Sequence, residues 1–309
     1  MADKQATRQA YGDALVELGA NNKDLVVMDA DLSKSTMTVG FSKAFPERFF
    51  NMGIAEQNMY GVAAGLAASG KTVVASTFAM FATGRAFEII RNSIGYPHLN
   101  VKICATHAGV TVGEDGASHQ AIEDIALMRS IPGMTVLNPS DGGSAKKAVE
   151  AAVAMEGPVY VRLGRAAVPI VYDEDMEFEI GKGLTVKDGS DVAIIATGIM
   201  VNEAIQAAEK LEAEGISARI IDIHTIKPID EEIIIKAAKE TKGIVTAEEH
   251  SVIGGLGSAV AEVTAKNAPA KIKMIGIQDR FGQSGKPDQL MKEYGLTADD
   301  IVAACKELL

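Results

Sequence analysis

Apolar positions along the chain switch repeatedly between two periods. Ala10, Ala14, Leu15 and Leu18 recur at helical spacing within Thr7–Asn21, and residues 25–28 then run apolar without a break, as a strand buried on both faces does. The exchange repeats: a small-residue helix over 55–69, a strand over 73–75, an amphipathic helix over 78–91 carrying Phe78, Phe81 and Phe87, and a strand over 101–105. A helix is expected over 119–129 with Ser118 as its N-cap, then a strand at Thr135–Leu137, stopped by Pro139. A helix over 141–155 and a strand at Val159–Arg162 complete the set. Such alternation predicts a doubly wound, mostly parallel sheet.

The pattern then changes. Residues 166–190 hold several glycines, Pro169 and the acidic run Asp173-Glu174-Asp175, and read as a linker. A second α/β set follows, with strands at Val192–Ala196, 217–222, 243–247 and Ile272–Ile277. Its helices fall at about 201–214, 230–240, 256–265 and 298–309, the last capped by Thr297. The fold class is therefore α/β, two doubly wound, mostly parallel-sheet domains, spanning 1–165 and 191–309. A length of 309 residues agrees, at roughly 150 residues per domain.

Charge narrows the partners. Forty-one acidic against 30 basic residues give a net charge of −11, with no basic run, so no nucleic acid and no anionic membrane surface is expected. A local cationic pocket for a small anion remains compatible with this. Cys104 and Cys305 cannot build a disulfide framework, the start lacks a signal peptide's apolar core, and no apolar run nears the roughly 18 residues that span a bilayer. A soluble, cytoplasmic protein is expected.

Two glycine motifs mislead. Residues 65–72 match the phosphate-loop pattern G-x-x-x-x-G-K-[ST], but a helix precedes them and a strand follows, the reverse of what that loop needs, so a helix-ending turn is expected. Gly254-Gly255-Leu256-Gly257 lacks the third glycine of a dinucleotide loop, Val260 standing there, and reads as a helix entry.

Three other segments carry chemistry. Between a strand and a helix, residues 106–119 gather His107, His119, Glu114, Asp115 and three glycines, at the kind of strand end where open α/β sheets bind ligands. The spacing of these groups matches no metal motif, so no metal site is expected on this chain. Glu56 opens a helix that is otherwise apolar and small. It is either a first-turn acid favoured by the helix dipole or a carboxyl group in an apolar setting, suited to sharing a proton. Phe78 and Phe81, three apart on one expected helix face, are either core or a wall for a flat heterocycle.

Together these segments resemble the thiamine diphosphate-dependent transketolases. The loop follows that family's T-H-x5-G-E-D-G-x-[ST]-H, and the G-x-x-E and S-T-F-x-x-F segments support it. The resemblance covers the pyrimidine-binding and C-terminal domains, essentially the whole chain. The G-D-G…N signature of the domain that binds diphosphate and Mg²⁺ has no counterpart in it. It implies the C-terminal subunit of a split transketolase. That enzyme moves a two-carbon ketol unit from ketose phosphate to aldose phosphate, and it needs an N-terminal subunit that holds most of the Mg²⁺ and diphosphate contacts. Two-fold symmetry in the family implies an α₂β₂ assembly; the small residues of the 55–69 helix serve either close approach at that interface or packing within the domain.

Roles follow by position. Glu56 resembles the glutamate that bonds the aminopyrimidine ring and favours its imino tautomer, whose nitrogen deprotonates the thiazolium carbon. Phe78 and Phe81 resemble the pyrimidine pocket's aromatic wall, although Gly84 stands where a third aromatic is common. Asp31 resembles an acid near the cofactor. Arg8, Ser35, His107 and Arg165 resemble the group that holds the sugar phosphate, while Asp115 and His119 resemble the pair that binds hydroxyls near the reacting carbon. Ala108 replaces an Asp found in many members. Relatives of the same architecture are 1-deoxyxylulose-5-phosphate synthase and the β subunit of 2-oxo acid dehydrogenases. The set His107, Asp115, His119 and Arg165 argues against the latter. A non-catalytic metal or scaffold protein is the reading from a different class.

Overall fold

The computed structural model describes residues 3–173 and 175–309; Met1, Ala2 and Glu174, used above to read the start and the acidic run, lie outside the described residues. Two sheets organise the chain. The first has seven strands in the spatial order Thr225–Lys227, Thr135–Leu137, Val159–Arg162, Val101–Thr106, Thr72–Phe78, Leu25–Asp29 and Phe49–Asn51. All its neighbours pair in parallel except Thr225–Lys227, which is antiparallel to Thr135–Leu137. The second sheet has the order Ile272–Ile277, Ile244–Ser251, Val192–Ala196, Ala218–Asp222 and Leu184–Lys187, and only the last strand is antiparallel. Every residue of Leu25–Asp29, Val101–Thr106 and Val192–Ala196 is buried, which is why these strands read as unbroken apolar runs.

Helices cover both faces. Thr7–Asn21 and Gly142–Ala154 pack together on one face of the first sheet, around Tyr11, Leu15, Val27 and Phe41. On the other face lies a core shared by both sheets. It joins Met59, Tyr60 and Ile103 to Ala193, Ile195 and Ile221, with Ile234 and Val260 from the helices Glu231–Glu240 and Leu256–Asn267. Each fully buried Ile or Val contributes about 1.5–3 kcal/mol, so this shared core ties the two sheets into one body.

Four readings need correction. The stretch read as a linker carries two strands: Ala167–Pro169 pairs antiparallel with Lys4–Ala6, and Leu184–Lys187 edges the second sheet. Thr225–Lys227 returns to the first sheet, so the second half of the chain completes the first sheet's edge. Phe78 ends the strand Thr72–Phe78 rather than opening a helix, because it stays in register with Thr106. The helix expected over 119–129 begins only at Asp124. The chain is held out of it by a bridge between Ala121 and Ala108 and by the Gln120 side chain, whose Nε2 donates to the carbonyls of Val110 and Gly113. Ser118 bonds His119 Nδ1 instead of capping.

Both glycine motifs are turns. Lys71 follows a helix end, pairs with Asp24 at 2.7 Å and precedes the strand. The entry of Leu256–Asn267 is filled by the Glu248 carboxylate, which accepts from the N–H groups of Leu256 at 2.7 Å and Gly257 at 2.8 Å.

Candidate active site

The strands Thr72–Phe78 and Val101–Thr106 leave the first sheet side by side, with Phe78 opposite Thr106. His107 comes next, at a φ of 59°. That left-handed conformation costs a non-glycine residue on the order of 1–3 kcal/mol. It is held by the Ala108 N–H on the Leu163 carbonyl and the Gly109 N–H on the Ala121 carbonyl. The turn lays the imidazole on Phe78, with centroids 3.8 Å apart and planes 24° apart. Phe78 stacks on Phe81 at 5.8 Å, and His119 meets Phe81 edge-on at 5.3 Å. Phe78 and Phe81 thus form a wall, reached from a strand end and a helix start rather than from one helix face.

Two arginines converge on His107. Arg8 lies in the first turn of Thr7–Asn21 and Arg165 precedes Ala167–Pro169; the pairing of Lys4–Ala6 with Ala167–Pro169 brings the two together. Arg8 Nη1 donates to the Ser35 carbonyl at 2.7 Å and lies 3.4 Å from His107 Nε2. A guanidinium only donates, so Nε2 accepts, and the imidazole proton sits on Nδ1, 2.9 Å from Thr106 Oγ1. Burial, with Arg8 and Arg165 adding to it, pushes the His107 pKa down to about 3. His107 is therefore neutral at physiological pH. Arg8 is itself lowered by burial and by Arg165. Ser35 enters this cluster through its carbonyl, not the hydroxyl the resemblance implies. It lies in the four-residue helix Ser33–Thr36, whose carbonyls are too near the end to be used within it. Arg165 donates to the Val112 carbonyl and stands 3.9 Å from the half-exposed Asp115. A chain of net charge −11 has here assembled two guanidiniums beside a neutral imidazole, and the guanidiniums are donors suited to a phosphate-like anion.

Glu56 begins the helix Glu56–Ala68 and is 3% exposed. A solvated first-turn acid would not be buried so deeply. Its partner is Arg85, 3.8 Å away, half in solvent and 6.0 Å above the Phe81 ring. Arg85 closes a π-helical turn, Phe81–Arg85, and Gly84 lies in that turn, so the place of a third aromatic is taken by a turn that delivers an arginine. Arg85 thus links the buried Glu56 carboxyl group to the Phe81 ring, and such a carboxyl group can pair with a basic ring nitrogen. Asp31, also left-handed at φ 66°, exchanges hydrogen bonds of 3.1 and 3.0 Å with Asn51 at the same end of the sheet. Behind it the buried Asp29 accepts from the Leu32 N–H, Thr36 and Thr38; burial raises its pKa and these donors oppose the rise.

A cavity of about 560 Å³ lies elsewhere, lined by Gln5, Asp13, Lys146 and Tyr172, and touches none of these residues. Among the described residues no group of three or more His, Cys, Asp and Glu is placed to hold a metal ion. No helix among them is long and apolar enough to cross a membrane.

Comparison with known proteins matches two family descriptions: "Transketolase, pyrimidine binding domain" over residues 3–171, and "Transketolase, C-terminal domain" over residues 181–301. The chain belongs to the transketolase family. A provisionally named transketolase C-terminal section of Methanocaldococcus jannaschii is 57% identical, over 97% of this chain and 95% of its own length. Human transketolase is 40% identical over the whole chain but only 50% of its own length. A solved structure titled "Split gene transketolase, inactive beta4 tetramer" superposes with a TM-score of 0.93 at 59% identity, covering 98% of each chain. The resemblance to a split transketolase's C-terminal subunit is borne out, and the thiamine-dependent character of the family comes with it.

Three residues of this transketolase half that bear on the site were missed from sequence. Arg85 and Gln120 are single polar residues with no periodic signal. Glu249 had one: Glu248-Glu249-His250 interrupts an apolar strand with three ionisable side chains, all buried.

Proposed function

We propose that this chain supplies the pyrimidine-binding half of a two-chain transketolase, transferring a two-carbon ketol unit between ketose phosphate and aldose phosphate. One observation carries the reading: the buried Glu56 and the Phe78–Phe81 wall share a sheet end with the Arg8, His107 and Arg165 cluster. Thiamine diphosphate, when bound, supplies a nucleophilic carbon that carries the ketol fragment. Glu56 would hold a proton against the aminopyrimidine nitrogen, and Phe78 and Phe81 would offer that ring an apolar wall. Arg8 and Arg165 clamp the sugar's anionic end with charge-assisted bonds, and the Nδ1-protonated His107 keeps Nε2 as an acceptor between them. His119 and Asp115 receive hydroxyls near the reacting carbon, and Asp31 stands near the cofactor. Mg²⁺ and the diphosphate belong to an N-terminal partner.

Support for an anionic substrate comes also from a Clostridium relative, 43% identical and named as a 6-deoxy-6-sulfo-D-fructose transketolase subunit. We assign the working enzyme to the cytoplasm, to pentose phosphate chemistry, and to an α₂β₂ assembly with two cofactors between unlike chains. The related structure's title calls its β-only tetramer inactive, in keeping with a subunit that needs a partner. Light scattering of the co-purified pair tests the assembly: a mass of two copies of each chain supports it, and a fully active one-to-one heterodimer contradicts it.

A further inference from the structure

The loop that carries the site histidines rests on the second sheet. Glu249, in the strand Ile244–Ser251, sends its carboxylate across the junction, where Oε1 accepts from the Thr111 N–H at 2.6 Å. Thr111 is the middle residue of the short 3₁₀ turn Val110–Val112, between His107 and His119. Gly109 is required there: at φ 81° its backbone passes so close that a Cβ would lie 2.2 Å from Glu249 Cδ. The other end of Glu249 is also fixed, since Arg162 Nη2 donates to its backbone carbonyl at 2.9 Å while Nε donates to Asp124 at 2.8 Å. The far side of the loop is tied in the same way. Gln120 Nε2 bridges the Val110 and Gly113 carbonyls to that of Gln283, also from the second half of the chain.

We propose that Glu249 is a positioning residue for the candidate site, pinning the Gly109–Val112 backbone so that Arg165 meets the substrate's anionic end in fixed geometry, with His107 held beside it. The link to Arg165 is direct, because the Val112 carbonyl next to the pinned Thr111 N–H is the acceptor that holds the Arg165 guanidinium. The link to His107 runs through Gly109, whose N–H is bonded to Ala121 and whose carbonyl leads into the pinned turn. The second sheet thereby acquires a part in substrate recognition without touching the substrate. Its neighbour Glu248, equally buried, caps Leu256–Asn267 and makes no contact with the loop.

The inference rests on the transketolase reading for its kinetic consequence but not for its structural one, and the test separates the two. Glu249→Ala, Glu249→Gln and Glu248→Ala are prepared in the full chain and in the reconstituted two-chain complex. In the chain alone, imidazole NMR reads His107. Both Glu249 variants are expected to let its pKa climb from about 3 toward its ordinary 6.5 as the loosened loop exposes the imidazole to solvent and draws it from Arg8 and Arg165, Glu249→Gln less than Glu249→Ala, whereas Glu248→Ala leaves it unchanged. In the complex, Glu249→Ala is expected to raise KM for a phosphorylated acceptor by about tenfold or more, the consequence of an unmade buried bond, with cofactor C2 proton exchange on the Glu56 side unchanged. Glu249→Gln, which keeps one acceptor, should restore part of the affinity. An unshifted His107 in folded Glu249 variants overturns the inference, as does failure of both variants to fold, which would make the carboxylate a support of the whole fold. A shifted His107 in the Glu249 variants, together with a wild-type complex that transfers no ketol unit, keeps the inference and overturns the proposed function.

Discussion

Two loops in this chain are built from the same kinds of residue and end differently. Thr106 to His119 and Glu248 to Gly257 each leave the end of a parallel strand and combine histidine, carboxylates and glycines. At the second, every charge is answered within the chain. Glu248 fills the helix entry so closely that a Cβ on Gly255 would lie 1.9 Å from its Oε2, and His250 Nε2 accepts from the Ile125 N–H while Nδ1 donates to the Ser251 carbonyl. At the first, His107 is held left-handed, Arg8 and Arg165 meet mainly carbonyls, and Asp115 faces solvent. One loop is a joint. The other is a set of donors and acceptors with room left between them.

The largest test of this contrast is Glu56→Gln in the reconstituted enzyme. An amide cannot share the proton, so activity should fall by about 10²–10⁴-fold, the scale of general acid–base catalysis. Wild-type C2 proton exchange in that variant would remove Glu56 from the mechanism. Next come Arg8→Ala and Arg165→Ala, each expected to weaken phosphorylated acceptors by about 1.5–3 kcal/mol while glycolaldehyde loses much less. Equal losses on both would make the arginines structural, and the first loop a joint like the second. Glu248→Ala should behave in the opposite way, lowering stability by about 1–3 kcal/mol in thermal unfolding with KM and kcat retained.

Much of this was written in the sequence. Thr7–Asn21, Val159–Arg162 and Val192–Ala196 coincide with their expected bounds, because a helix face or a doubly buried strand is a local pattern. The histidine loop was legible as chemistry at a strand end, Phe78 and Phe81 as core or wall on an expected helix face, and Arg8 and Arg165 only through the family resemblance. What was hidden depends on long-range pairing. Leu184–Lys187 and Thr225–Lys227 are strands of four and three residues, defined by partners distant in sequence. The loop past Ser118 looked like a helix start because a Ser before a half-apolar stretch is an N-cap signal. The Gln120 and Ala121 contacts that keep it extended come from residues about ten positions away.

The smallest effect expected is a pH one, and its sign differs between the two loops. His107 is depressed to about 3, so the unfolded chain takes up its proton first, and the stability tied to it is complete above about 6.5 and declines as pH falls below that. Glu248 is raised by burial to about 7, so what it lends is present below its ordinary 4.5 and is lost as pH rises through about 7. Imidazole NMR should find His107 neutral from about pH 5 to 8. Protonation within that range would show that His107 is neither buried nor pressed by the guanidiniums as described.

The central claim is that this chain is half of an active site, and titrating it with its N-terminal counterpart tests that claim most directly. With thiamine diphosphate, Mg²⁺ and a ketose phosphate donor present, the chain alone should give no ketol transfer. Activity should rise linearly on addition of the partner and level off at one equivalent. Turnover by this chain alone, or none at any ratio with the partner, would contradict the account.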